Sequence, residues 1–161
     1  MIWWNLLQTN QNKLIRQSGN GIRVVAAGRL SEQKGYDYLL EAISKVSNDI
    51  HCTILGEGIL EKDLKLLASK LKINDKVKFQ GYVDDAYPYL NGADALLITS
   101  NFEGLPNIAL ESLSLGTPVI ATPNSGGVKE LKYAKIVERG DDFVAAVNNI
   151  KLKKIFSKTS L

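Results

Sequence analysis

Two carboxylates, Glu103 and Glu111, stand on either side of a predicted helix start at Pro106. Proline suits the first turn of a helix because its φ is fixed and it lacks an N–H group. A helix start presents unpaired backbone N–H groups and the positive end of the helix dipole, which favour an anion such as a diphosphate. Carboxylates repel phosphate, so Glu103 and Glu111 are expected to bind hydroxyl groups of a sugar or a ribose. The segment 100–118 therefore predicts a site for a sugar nucleotide.

Two cations, Arg29 and Lys34, lie in the loop 28–35 after the first predicted strand. Cations that leave the same strand end can converge on one diphosphate, the arginine as a planar fork and the lysine as a point charge. Each charged hydrogen bond of this kind contributes about 1.5 to 3 kcal/mol. Taken alone, the two residues are better explained as surface charges. The anion-binding helix start at Pro106 favours a role for them in holding phosphate.

The elements that must position these residues follow the pattern of a parallel α/β fold. From Ile22 onward, short apolar runs alternate with helical patterns, as in βαβ units. The run 95–98 is apolar throughout, so helices should cover both of its faces. We predict an α/β fold with a doubly wound, Rossmann-like parallel sheet in a three-layer αβα arrangement. The predicted strands are 22–26, 51–55, 77–79, 95–99, 118–121 and 134–137.

Every unusual loop follows a predicted strand, at the edge of the sheet where ligands bind in doubly wound folds. The turn Gly56-Glu-Gly58 is interpreted as a close approach of two backbone segments, because a dinucleotide fingerprint would need a third glycine after the first strand. Asp84 and Asp85 are interpreted as a helix start rather than a metal pair. His51, the only histidine, has no catalytic partner at a meaningful spacing and is expected to be structural.

The composition excludes several classes of protein. The chain has 161 residues, which fits one domain, and its net charge of +3 comes from scattered cations that do not suggest nucleic acid binding. The charge leaves room for weak association with a membrane surface. The single cysteine, Cys52, excludes an internal disulfide and fits a reducing compartment. With no membrane-spanning run and no signal peptide, we expect a cytoplasmic protein, peripheral at most to the inner face of the membrane.

The first part of the chain differs in kind from the rest. Residues 1–21 combine Trp3 and Trp4 with a long polar run, and they are predicted to be an N-terminal extension or linker. A short helix whose tryptophans cover an exposed surface is preferred to a partner-docking segment. Residues 22–161 are predicted to form one nucleotide-sugar-binding, Rossmann-like domain.

Six motifs occur in the order that is typical of one family. They are Gly28-Arg29, Lys34-Gly35, Gly56-Glu-Gly58, Gly81-Tyr-Val83, Glu103-x7-Glu111 followed by Gly116-Thr-Pro-Val119, and Gly126-Gly127. Through them, residues 22 to about 147 resemble glycosyltransferase family 4, and in particular the C-terminal, donor-binding half of its GT-B fold.

The resemblance implies a role for each matching residue. Arg29 and Lys34 would hold the donor diphosphate, and with Glu103, which would contact the transferred sugar, they form the expected catalytic set. Glu111 would bind the ribose diol, and the segment around Val83 would lie against the nucleobase. The donor-binding residues implied in this way are Arg29, Lys34, Gly56, Val83, Glu103, Gly104, Leu105, Pro106, Asn107 and Glu111.

The resemblance also implies a reaction. Family members are mostly retaining enzymes that need no metal or other cofactor, since positive residues and a helix dipole neutralise the leaving nucleoside diphosphate. The absence of an Asp-x-Asp triplet agrees with this. We expect transfer of a hexose or N-acetylhexosamine from a nucleoside-diphosphate sugar, with UDP favoured, to a glycan or lipid-linked acceptor in surface polysaccharide synthesis.

Catalysis in a GT-B enzyme normally requires two Rossmann-like halves, and only one is present here. The N-terminal half would have to be supplied in cis or in trans. The alternatives are a non-catalytic nucleotide-sugar-binding or interaction module, or a half-enzyme that requires a partner subunit. A sugar-nucleotide epimerase is a weaker alternative, because it would be expected to carry its own second half.

Overall fold

The structure is a computed structural model that describes residues 21–152. The predicted tryptophan-bearing helix falls in the part of the chain that lies outside the described residues. The division into an extension, 1–21, and a domain, 22–161, stays a prediction.

Six parallel strands form a single sheet in the order β3-β2-β1-β4-β5-β6. The chain builds outward from β1 in one direction, returns to the centre, and then builds outward in the other direction from β4. The predicted doubly wound parallel sheet is therefore confirmed, with the reversal of strand order between β1 and β4. The strands are β1 Ile22–Ala27, β2 Ile50–Leu55, β3 Val77–Gly81, β4 Ala95–Ile98, β5 Val119–Ala121 and β6 Ala134–Ile136.

Helices cover both faces of the sheet, as predicted. The α-helices are α1 Tyr36–Lys45, α2 Glu61–Lys70, α3 Tyr87–Gly92, α4 Asn107–Ser114 and α5 Asp141–Asn148, with short 3₁₀ helices at Glu32–Lys34 and Gly126–Glu130. Buried residues of α1, α2 and α5 share one apolar cluster, and those of α3 and α4 share another. The arrangement is thus three layers, helix, sheet and helix.

The central strand β4 shows why the sheet needs both layers. Ala95 and Leu97 pack into the cluster under α1, α2 and α5, whereas Leu96 and Ile98 pack into the cluster under α3 and α4. This alternation follows from the pleat, which points successive side chains to opposite faces. Full burial of a leucine contributes about 1.5 to 3 kcal/mol, so each face of β4 stabilises the fold.

The pairing of β1 with β4 is fixed by a side chain as well as by the strand ladder. The ladder aligns Val24 with Ala95 and Val25 with Leu96. Just before β4, the buried carboxylate of Asp94 accepts a hydrogen bond of 2.8 Å from the backbone N–H of Arg23. This contact sets where β4 enters the sheet beside β1.

Local predictions at the helix starts are mostly confirmed. Helix α4 begins at Asn107, and Pro106 is the extended residue before it, with φ −70° and ψ 120°, rather than part of the first turn. Asp85 accepts a hydrogen bond of 2.9 Å from the N–H of Tyr87, the first residue of α3, so the interpretation as a helix start is correct.

His51 and Cys52 lie near the amino end of β2, away from the loops that follow the strands. The imidazole Nε2 of His51 is 3.5 Å from a carboxylate oxygen of Asp49, a neighbour that the sequence analysis did not pair with it. Burial raises the pKa of the Cys52 thiol to about 12, so the thiol stays protonated at ordinary pH. Neither residue reaches the carboxyl edge of the sheet.

Candidate functional site

A partly buried ion pair joins two of the predicted site residues directly. The ammonium Nζ of Lys34 is 2.7 Å from the carboxylate Oε2 of Glu103, and the side chains are 20% and 12% exposed. The hydroxyl of Ser100 donates a second hydrogen bond, of 3.1 Å, to the same oxygen. Lys34 follows β1 and Glu103 follows β4, so the pair spans the point where the strand order reverses.

The sequence suggested that Lys34 and Glu103 bind separate parts of a ligand. The structure instead pairs the two side chains with each other. A lysine ammonium carries three donors, and one is used on Glu103. The other two remain for a ligand oxygen beside the pair. Because Lys34 and Ser100 fix one oxygen of Glu103, the carboxylate presents a defined direction to neighbouring hydroxyl groups. The pair can thus hold phosphate and polyol oxygens next to each other.

An open cleft of about 730 Å³ lies beside the pair, where the loops after β1, β2 and β3 meet. Three predicted residues line it, Arg29, Gly56 and Val83. Glu57 and Tyr82 line it as well, and neither was predicted. Arg29 is exposed and makes no ion pair within residues 21–152, so its guanidinium is available to an anion in the cleft.

Glycines allow the loops that form the cleft to approach one another. A Cβ on Gly56 would collide with the carbonyl oxygen of Gly28, and a Cβ on Gly58 would collide with the backbone of Leu30. The N–H of Gly56 also donates a hydrogen bond of 2.7 Å to the carbonyl of Gly81. The interpretation of Gly56-Glu-Gly58 as a close-approach turn is therefore confirmed.

The start of α4 lies next to the Lys34–Glu103 pair. Pro106 is buried in a narrow crevice that Lys34 and Glu103 also line, whereas Gly104, Leu105 and Asn107 are exposed. No side chain caps this helix start, so its first N–H groups can serve an anion.

Gly126 and Gly127 pack against the loop that precedes α4. The N–H of Gly127 donates a hydrogen bond of 2.7 Å to the carbonyl of Gly104. Gly126 has a φ of 62°, and a Cβ there would collide with the carbonyl oxygens of Glu103 and Gly104. The structure thus gives a packing reason for the paired glycines.

Glu111 is placed apart from the other predicted residues. It lies in α4, its side chain is exposed, and it lines neither the open cleft nor the crevice at the Lys34–Glu103 pair. The structure thus brings Lys34, Glu103 and Pro106 together, whereas Arg29 lines the separate open cleft.

A comparison with known families identifies the chain. The family model described as glycosyl transferases group 1 matches residues 8–153. The chain belongs to this family. The GT-B fold class expected from the sequence is supported by the solved structures below, and assignment to family 4 in particular stays a prediction.

Curated relatives of this group 1 glycosyltransferase chain are longer than the chain itself. The lipopolysaccharide core biosynthesis glycosyltransferase LpsE of Rhizobium meliloti is 36% identical over 132 residues, which are 79% of this chain and 38% of LpsE. The N-acetylgalactosamine-N,N'-diacetylbacillosaminyl-diphospho-undecaprenol 4-alpha-N-acetylgalactosaminyltransferase of Campylobacter jejuni is 32% identical over 108 residues, 67% of this chain and 30% of that enzyme. The chain therefore spans less than half the length of these relatives.

Solved glycosyltransferases share the fold. The lipopolysaccharide outer core galactosyltransferase WaaB, in its apo form, has a TM-score of 0.76 at 25% identity, over 83% of this chain and 41% of WaaB. HepE of Anabaena, solved in complex with UDP and glucose, has a TM-score of 0.76 at 22% identity, over 87% of this chain and 42% of HepE. The latter likeness shows the fold alone.

Besides Glu57 and Tyr82, the sequence analysis did not single out Tyr36 and Arg139, which contact the loops of the candidate site. The hydroxyl of Tyr36 donates a hydrogen bond of 3.2 Å to the carbonyl of Gly28. Burial, with smaller contributions from Cys52 and Glu103, raises the pKa of Tyr36 well above its ordinary value, so the phenol remains a donor. Arg139 contacts the end of β4 from the loop after β6. A cation in the loop after a strand was the available signal, as it was for Arg29.

Residues 21–152 can be searched for a membrane-spanning helix and for a metal site, neither of which was expected from the sequence. None of the helices there combines the length and apolar character that a membrane crossing requires. No group of three or more His, Cys, Asp or Glu side chains in this part of the chain is arranged to hold a metal ion. Independence of metals and cofactors, and association with a membrane surface, stay predictions.

Proposed function

We propose that this chain is the C-terminal, donor-binding domain of a retaining, family 4 glycosyltransferase of GT-B fold. It would bind a nucleoside-diphosphate hexose or N-acetylhexosamine, with UDP as the favoured nucleotide. The observation that supports this most is the Lys34–Glu103 pair, 2.7 Å apart, between an open cleft and an uncapped helix start. The cation and the helix start suit the oxygens of a diphosphate, and the carboxylate suits the hydroxyl groups of the linked sugar.

The diphosphate would lie where positive charge converges. The ammonium of Lys34 is already paired with Glu103, so Arg29 and the N–H groups at the start of α4 would supply the rest of the charge compensation for the diphosphate. Negative charge develops on the leaving nucleoside diphosphate as its bond to the sugar breaks. Donors fixed in place before the reaction stabilise that charge without the cost of reorienting.

The remaining parts of the donor would lie along the loops at the carboxyl edge of the sheet. Hydroxyl groups of the transferred sugar would donate to Glu103, while the backbone of 104–107 would lie along the sugar and the distal phosphate. The nucleobase would enter the open cleft against Val83, which lines it. Glu111 would receive the ribose diol, which requires the ligand to reach out to the exposed face of α4.

The relatives support the substrate class. LpsE is named for lipopolysaccharide core biosynthesis, the Campylobacter jejuni enzyme for an undecaprenol-linked acceptor, and HepE was solved with UDP and glucose. By analogy, the acceptor would be a glycan or a lipid-linked sugar in surface polysaccharide synthesis, without a metal. A lipid-linked acceptor would bring the protein to the inner face of the membrane, which its net charge of +3 favours.

Calorimetry with UDP, GDP and ADP tests the donor site. We expect UDP to bind most tightly, and no binding of any of the three at millimolar concentration would contradict the proposal. Sugar transfer from UDP-glucose or UDP-N-acetylglucosamine is expected to need a second half, because the chain spans 38% of the length of LpsE.

Because the chain spans only 38% of the length of LpsE, a second candidate function is a half-enzyme whose partner subunit supplies the acceptor side. Light scattering of the chain mixed with the first half of a relative such as LpsE would report whether a complex forms. A complex that gains transferase activity would support the half-enzyme. Donor binding without a complex or activity would favour a non-catalytic binding module.

A further inference from the structure

Arg139 contacts the end of β4 from the loop between β6 and α5. Its guanidinium Nη2 donates a hydrogen bond of 2.8 Å to the carbonyl of Thr99 and another of 2.8 Å to the side-chain oxygen of Asn101. Thr99 directly follows β4, and Asn101 begins the loop that carries Glu103. The guanidinium therefore fixes the backbone from which Glu103 extends.

Tyr38 in α1 holds the guanidinium of Arg139 in place. The ring centre of Tyr38 lies 4.6 Å from the guanidinium carbon, a distance at which a cation is attracted to an aromatic face. The hydroxyl of Tyr38 also accepts a hydrogen bond of 2.9 Å from the N–H of Gly140, next to Arg139. A planar guanidinium can stack and donate at the same time, which a lysine ammonium cannot do.

The same stretch after β4 is also bonded to the turn that carries Lys34. The N–H of Asn101 donates a hydrogen bond of 2.8 Å to the carbonyl of Gln33, and its side-chain amide donates to the carbonyl of Glu32. The hydroxyl of Thr99 donates one of 3.1 Å to the carbonyl of Gly35. Residues 99–101 thus connect Arg139 to both neighbours of Lys34 in the chain.

We propose that Arg139 is a positioning residue for the donor diphosphate. It acts through residues 99–101, which hold the backbone on both sides of the Lys34–Glu103 pair, and so it sets where the ammonium of Lys34 meets a phosphate oxygen. Its Nη2 already has two protein acceptors, and its guanidinium lies over the ring of Tyr38, so we assign it an indirect role. The inference rests on the proposed function, since a diphosphate is the proposed ligand of Lys34.

A double-mutant cycle with two ligands tests this role. UDP contains the diphosphate and uridine does not, so their affinities are measured by calorimetry or ligand-observed NMR for the unmodified chain, Arg139→Met, Lys34→Ala and the double variant. We expect Arg139→Met to weaken UDP by about tenfold and to leave uridine nearly unchanged. In the Lys34→Ala background, Arg139→Met should cause no further loss, because the group it positions is gone.

Lys135→Met is the matched control, since it removes one exposed cation from β6 in the same way and should change neither affinity. Arg139→Lys keeps the charge, and it should give an intermediate loss of UDP affinity. This variant carries the test if Arg139→Met does not fold.

Three results would overturn the role of Arg139. They are an unchanged affinity for UDP, an equal loss for UDP and uridine, and a loss that persists in full in the Lys34→Ala background. Each of them requires that the unmodified chain binds UDP. If the unmodified chain binds no UDP, the proposed function fails, and the inference fails with it.

Discussion

The Lys34–Glu103 pair and the open cleft beside it differ in how far the protein fixes their side chains. At the pair, both charged groups have partners, Ser100 supports the carboxylate, and the backbone on either side is held by residues 99–101. In the cleft, Arg29 is exposed and makes no ion pair within residues 21–152, and Tyr82 is 68% exposed.

Under the proposed function, this difference indicates which part of the donor the protein would organise in advance. Rigid contacts benefit the part of the ligand where charge develops, because fixed donors need no reorganisation during the reaction. The base and ribose need affinity more than exact placement, and exposed side chains can adjust around them. We therefore expect changes at the pair to have larger effects than changes in or around the cleft.

The largest effect is expected for Lys34→Ala, which removes the cation from the fixed part of the site. Loss of one charged hydrogen bond should weaken UDP binding by about 10- to 100-fold, measured by calorimetry. Lys62→Ala is a matched control, because Lys62 is exposed and makes no ion pair among the described residues. Similar UDP affinities for the two variants would show that the pair does not bind phosphate.

Gly126→Ala should disturb the fixed region through its backbone. The left-handed φ of 62° and the collision with the carbonyls of Glu103 and Gly104 should lower the free energy of unfolding by about 2 kcal/mol. Gly116→Ala is the control, because its φ of 71° is similar but nothing lies within 4 Å of its Cβ position. We expect about 1 kcal/mol for the control. Equal losses in urea unfolding would mean that the contact with the loop is unimportant.

Tyr36→Phe should lower the free energy of unfolding by about 1 kcal/mol, because it removes the hydrogen bond to Gly28. Burial raises the pKa of Tyr36 in the folded chain above its ordinary value of 10.0. Above pH 10 the unfolded chain therefore releases a proton that the folded chain keeps, and stability falls as the pH rises.

Urea unfolding of both proteins below and above pH 10 measures this fall, which should be less steep for Tyr36→Phe. Tyr133→Phe is the control, since Tyr133 is 71% exposed and should not change the slope. The same slope in all three proteins would contradict a buried, protonated Tyr36.

The smallest effect is expected for Glu111→Ala, because Glu111 is exposed and lies outside both the pair and the cleft lining. A ribose diol bound to such a carboxylate should contribute about threefold to UDP affinity. The variant should bind 2′,3′-dideoxy-UDP as well as the unmodified chain does. If the unmodified chain bound UDP and the dideoxy analogue equally, Glu111 would have no role in ribose binding.

The sequence was sufficient to predict the sheet and the loops that carry the site. Each of the six strands lies within one or two residues of its predicted range, because apolar runs between turn residues are a local signal. Parallel strands place their following loops at one edge, so the proximity of the Lys34 loop and the Glu103 loop followed from the fold class.

The direct contact between Lys34 and Glu103 could not be predicted in the same way. These residues are 69 positions apart, and periodicity carries no information about which side chains meet across such a distance. The same holds for Arg139 and Thr99, which are 40 positions apart. Glu111 shows the opposite limit, since its motif spacing was clear and yet its side chain is exposed and lines neither the open cleft nor the crevice at the pair.

The central pairing of β1 with β4 has a kinetic consequence. The backbone of Arg23 and the carboxylate of Asp94 meet across 71 positions, whereas the other neighbouring strands are joined through a single intervening segment. Closing so long a loop costs entropy before its contacts form, so we expect the β1–β3 and β4–β6 halves to form early and to join late. A donor that contacts both Lys34 and Glu103 beside their ion pair would span that junction, and it would lengthen the lifetime of the folded state by slowing the separation of the two halves.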